Sequence, residues 1–62
     1  MSSLNLNKAY EVVEGIKSAI QDVETKGVSH AVVYVEKLGC CVSMAVSDAP
    51  EEYGWEVITT VT

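Results

Sequence analysis

The first half of the chain repeats its apolar residues at helical spacing. Ala9, Val12, Val13, Ile16, Ala19, Ile20 and Val23 draw one stripe, with Glu11, Glu14, Ser18, Gln21 and Thr25 opposite. Asn5 suits the N-cap, because its side-chain oxygen can accept a hydrogen bond from a free backbone N–H of the first turn; Asn7 is the rival cap. Leu4 and Ala9 sit where a hydrophobic staple would form. Lys26 suits the negative end of the helix dipole, and Gly27 can take the left-handed conformation that ends a helix. Gly15 costs this helix roughly 1 kcal/mol against Ala. Two readings fit it: close approach by a second helix, or a tolerated solvent-side glycine, the plainer of the two.

From Val28 the period changes to two. Ala31, Val33 and Val35 alternate with His30, Val32 and Tyr34, and the β-branched run favours a strand. Lys37-Leu38-Gly39 predicts a hairpin connection, and a second strand runs from about Cys40 to Ser47. Asp48 to Gly54 then breaks the alternation as a single capped turn, with Asp48 as cap, Pro50 in the first turn and Gly54 as the stop. A third strand, about Trp55 to Val61, sets Trp55, Val57, Thr59 and Val61 on one face and Glu56, Ile58 and Thr60 on the other. The expected architecture is α+β, a single domain over residues 1–62. One N-terminal amphipathic helix packs on a three-stranded antiparallel β-meander, in the order α-β-β-β.

On this reading the helix stripe meets Ala31, Val33, Val35, Val42, Met44, Val46, Trp55 and Val57. The far sheet face is left bare, and on it His30, Val32, Tyr34, Ala45 and Ile58 are the expected oligomer interface, for which a homodimer is the simplest arrangement. The alternative is a partly wet face, which antiparallel sheets tolerate.

Composition narrows the functional classes. The chain has 62 residues, four Lys+Arg against nine Asp+Glu, a formal net charge of -5 and 48% hydrophobic residues. One small domain fits, with a thin core that gains from association. The acidic balance argues against direct nucleic-acid binding, which needs clustered cations. No apolar run reaches the roughly 18 residues of a membrane span, and residues 1–5 lack the pattern of a signal peptide.

Candidate chemistry is sparse. Cys40 and Cys41 are adjacent, so on a strand they point to opposite faces; Cys40 is expected as a small buried residue, and Cys41 as an exposed one able to cross-link subunits. Free thiols without a disulfide framework fit a reducing, cytoplasmic compartment. His30 is the only imidazole, with Cys41, Ser43 or Glu56 as conceivable neighbours and a pH-sensitive contact as the better role. Without a convergent ligand set or a nucleophile with its base, no metal, cofactor or enzymatic activity is expected. The most singular surface feature is acidic and aromatic together: Asp48, Glu51, Glu52, Tyr53 and Trp55. These five are the expected partner-binding residues, and a basic or nucleic-acid-binding protein, modulated or inhibited by the contact, is the expected target. A plainer reading makes the carboxylates a solvated loop and the rings a cover over the open end of the core. A structural subunit of a homo-oligomer with no separate target is the alternative function.

Overall fold

The change of period marks a real boundary between helix and sheet. A computed structural model describes residues 6–62. Helix α1 (Leu6–Lys26) is followed by β1 (His30–Val35), β2 (Cys40–Ala45), two 3₁₀ turns (Val46–Asp48 and Pro50–Tyr53) and β3 (Glu56–Val61). The class and the α-β-β-β order are those read from the pattern. Gly27 closes the helix at φ 74°, its N–H donating to the Val23 carbonyl at 2.8 Å. Leu4 and Asn5 lie outside the described residues, and Asn7 falls inside the first turn rather than capping it.

Strand order differs from the sequential meander. The sheet runs β2-β1-β3, with β1 central and antiparallel to both neighbours. The β1–β2 hairpin closes through Gly39 at φ 69°, whose N–H donates to the Val35 carbonyl at 2.9 Å. β2 ends beside His30, whereas β3 begins beside Tyr34. The connection between them therefore has to travel back along the sheet.

The helix lies on the opposite face from the one expected. A Cβ placed on Gly15 would come within 2.7 Å of Val32 Cγ1 and 2.9 Å of Cys41 Cβ. Gly15 and Ala19 are the buried residues of the helix, and Val32 is fully buried in the sheet beneath it. Gly15 is therefore not a solvent-side glycine; the close approach is real, but it is to the sheet and not to a second helix. His30, Val32, Tyr34, Ala45 and Ile58 are thus no bare oligomer face. His30 and Val32 are buried, and Tyr34, Ala45 and Ile58 are half-buried. The physical reason is that a residue without a side chain lets the helix backbone settle against Val32, whereas the bulky stripe would hold it further off.

The other sheet face is covered as well. Ala31, Val33 and Val35 form a buried cluster on which Val42, Met44 and Trp55 pack, and Pro50 of the returning connection is fully buried. That connection takes two 3₁₀ turns instead of one capped turn. Asp48 ends the first, and Ala49, at φ 52° and ψ 62°, redirects the chain into Pro50. β3 also breaks strict alternation: Val32 pairs with Thr59 but Val33 with Val57, so Ile58 is the extra residue of a bulge. Beyond the bulge Thr59 joins the helix side, with Glu56, and Thr60 moves to the Val57 side. Ser43 Oγ is buried between strand and helix layers without a hydrogen-bond partner.

Two substitutions check this packing. Gly15→Ala should lower the unfolding free energy by about 1–3 kcal/mol in denaturant titration, because steric overlap with Val32 and Cys41 outweighs the gain of roughly 1 kcal/mol in helix propensity. Ala49→Gly should raise it by about 1 kcal/mol, since a left-handed conformation strains any residue with a Cβ.

Candidate protein-interaction surface

At the Val35 end of the sheet, three parts of the chain converge. Tyr34 of β1 is paired with Glu56 of β3, and Lys8 reaches down from the first turns of α1. The Lys8 Nζ stands 3.2 Å from Glu56 Oε1 and 4.6 Å from the centroid of the Tyr34 ring. Around this point lies an open cleft of about 320 Å³ lined by Lys8, Tyr34, Glu36, Lys37, Trp55 and Glu56. An ammonium held between a carboxylate and an aromatic face is the cleft's most defined polar feature. Both partners of the ion pair remain partly in water, so the bridge is worth at most about 1 kcal/mol and the ring contact about 0.5–1.

The returning connection forms an acidic and aromatic lip, and its last residues, Gly54 and Trp55, line the cleft. Tyr53 and Trp55 stack with ring centroids 4.8 Å apart and planes at 20°. Side chains two apart do not overlay in an extended strand without help. Here Gly54, at φ 78° with its N–H donating to the Glu51 carbonyl at 3.1 Å, turns the chain between them. Trp55 is half-buried on the core, while Tyr53 keeps 60% of its surface exposed. Asp48, Glu51 and Glu52 are all exposed and form no ion pair among the described residues. The five residues singled out from the sequence are therefore gathered on one connection, with Trp55 split between core and surface. No family model, no curated protein and no solved structure matches this chain.

The conceivable catalytic groups are not assembled. His30 pairs with Ala45 and Val61, and Cys41 with Tyr34, so the imidazole and thiol stand four positions apart along the sheet, about 13 Å. His30 is buried, with Nδ1 2.9 Å from the Val28 carbonyl oxygen that accepts its hydrogen. Cys41 is half-buried under the helix rather than on an outer face, which corrects its expected role as an exposed cross-linking thiol. Cys40, on the other face, is half-buried too. Among the described residues no group of three His, Cys, Asp or Glu is placed to hold a metal ion, and no helix is long and apolar enough to cross a membrane.

Sequence reasoning missed Lys8, which lies 48 residues from Glu56 and has no local signal linking the two. It also missed an exposed apolar seam on α1, formed by Leu6, Tyr10, Val13 and Ile20. The width of the apolar stripe was the available clue: it covers more of the helix than one sheet can bury.

Burial raises the Cys41 thiol above its ordinary pKa, and the nearby Glu11 carboxylate adds to the effect. The folded chain therefore holds this proton more tightly than the unfolded one. The associated stability is complete below the ordinary thiol range of about 8.5 and is lost as pH rises through the raised folded value. Urea titrations from pH 8 to 10 should show unfolding free energy falling more steeply in the wild type than in Cys41→Ala; parallel slopes would contradict the assignment.

Proposed function

We propose that the protein is a non-enzymatic interaction module that docks a basic segment of another protein on the lip formed by Asp48, Glu51, Glu52, Tyr53 and Trp55. The observation that carries this reading is the combination in one short connection of three exposed carboxylates, without an ion pair among the described residues, and a largely exposed Tyr53 stacked on Trp55. An aromatic pair fixed by Gly54 loses little conformational freedom on binding, and flat rings accept aliphatic stems and guanidinium planes. The carboxylates supply attraction that depends on ionic strength and steers a cationic partner toward the lip. Lys8, held by Glu56 and the Tyr34 ring in the adjoining cleft, supports the reading by example: the same kinds of group already bind an ammonium inside the molecule. Blocking a nucleic-acid-binding surface is one consequence of such docking, since carboxylates would occupy the positions of phosphates.

Trp55 is the sole tryptophan, so its fluorescence reports directly on the lip. Titration with an arginine- and lysine-rich peptide of about ten residues should change that fluorescence, with affinity falling as salt is raised. Glu51→Lys/Glu52→Lys should weaken binding at least about tenfold. Asp22→Lys/Glu24→Lys makes the same change in net charge near the end of the helix and should weaken it far less. Equal losses in the two double variants would mean that only overall charge matters, and the lip would lose its role.

A further inference from the structure

The helix leaves one feature unused by this docking surface. Leu6 is 62% exposed, Tyr10 71%, Val13 49% and Ile20 44%, and they follow one another down a single side of α1. This seam extends about 21 Å, from Leu6 to Ile20. It exists because Gly15 and Ala19 are the helix residues turned most fully onto the sheet, with Val12, Ile16 and Val23 only half-buried beside them.

The seam has a shape as well as a composition. Leu6, Ala9, Tyr10 and Val13 line an open apolar hollow of about 220 Å³. Their spacing, i, i+3, i+4 and i+7, is that of the four residues that surround one inserted side chain when two helices interlock. Small Ala9 forms the floor, and the larger three form the walls.

We propose that this seam is a homodimer interface in which α1 packs antiparallel against α1 of a second copy, each chain inserting its Ile20 into the hollow of the other. A two-fold axis passing beside residues 14 and 15 makes both insertions at once, as an isologous contact requires. The same axis sets the Glu14–Lys17 pair of each chain, 3.5 Å apart, beside its counterpart with opposite charges adjacent. Three arguments favour a second copy over an unrelated helix. The seam is self-complementary, carrying both the knob and the hollow. Its four large side chains, at roughly 200 Å² each when fully exposed, leave on the order of 450 Å² open per chain, so a pair covering them completely buries about 900 Å², at the low end of specific interfaces. Finally, the acidic connection runs over the sheet face away from the helix, so pairing through α1 holds the two lips apart despite a charge of -5 on each chain.

Sedimentation equilibrium at high-micromolar concentration should give twice the 6.7 kDa chain mass. Ile20→Asp and Tyr10→Asp should each weaken the dimer at least about tenfold while the far-ultraviolet circular dichroism stays helical, since both side chains reach solvent in the single chain. Glu51→Lys/Glu52→Lys should leave the dimer in place, which separates this interface from the lip. Within one chain Tyr10 and Ile20 are about 15 Å apart along the helix, so an NOE between them in a mixed-label sample can only cross the interface. A wild-type chain that stays monomeric up to about 1 mM overturns the proposal, whether the seam is then bare or covered by a different protein. So does a dimer that survives both aspartate variants, or one that lacks the Tyr10–Ile20 signal.

Discussion

The contact between the Gly15 backbone and the Val32–Cys41 pair determines how the two layers of this protein meet. With no Cβ at Gly15 and only a methyl at Ala19, the helix settles on the sheet along its narrowest strip. Dispersion forces fall away over fractions of an ångström, so closeness along this strip compensates for the small size of the residues that make it. The rotation this imposes has a second effect. Large apolar residues that a conventional helix–sheet packing would cover are carried round to the solvent side, and the side chains under the helix are those of the even-numbered β1 positions.

The sheet is closed on its other side by the chain itself. Because β1 is central, the link from β2 to β3 must return along the sheet, and in doing so it buries Pro50 and lays Trp55 on the Ala31–Val33–Val35 cluster. Ten residues thus serve two purposes: their inner side completes a core of valines and alanines, and their outer side presents carboxylates and rings to water. That division explains why Trp55 is half-buried while Tyr53, stacked on it, is not.

Periodicity made the elements legible, since a helix of period 3.6 and strands of period 2 leave different marks on the sequence. The helix end at Gly27 and the hairpin at Gly39 were readable for the same reason: each needs a conformation that glycine supplies cheaply. The facing of the layers was not readable, because both β1 faces are apolar and alternation alone cannot say which one a helix selects. Gly15 held the answer, but a missing side chain has no pattern of its own. The bulge at Ile58 hid in a run that alternates well enough to look regular, and strand order depended on a long-range choice with no local signature. For the candidate surface, the five residues from Asp48 to Trp55 stood out by composition, whereas Lys8 joined the neighbouring cleft only through the tertiary fold.

The order of the strands also sets how much chain each pairing must close. β1 and β2 are joined by a four-residue turn and can pair almost as soon as both exist, whereas β3 must close a loop several times longer to reach the other edge of β1. Longer closures cost more conformational entropy, though the cost grows only slowly with length. Trp55 stands at the threshold of β3, and Glu56, the residue that anchors Lys8 beside Tyr34, begins it. The cleft is therefore complete only when β3 lies against β1, and the two chain segments that meet there are held by a pairing that closes about 20 residues.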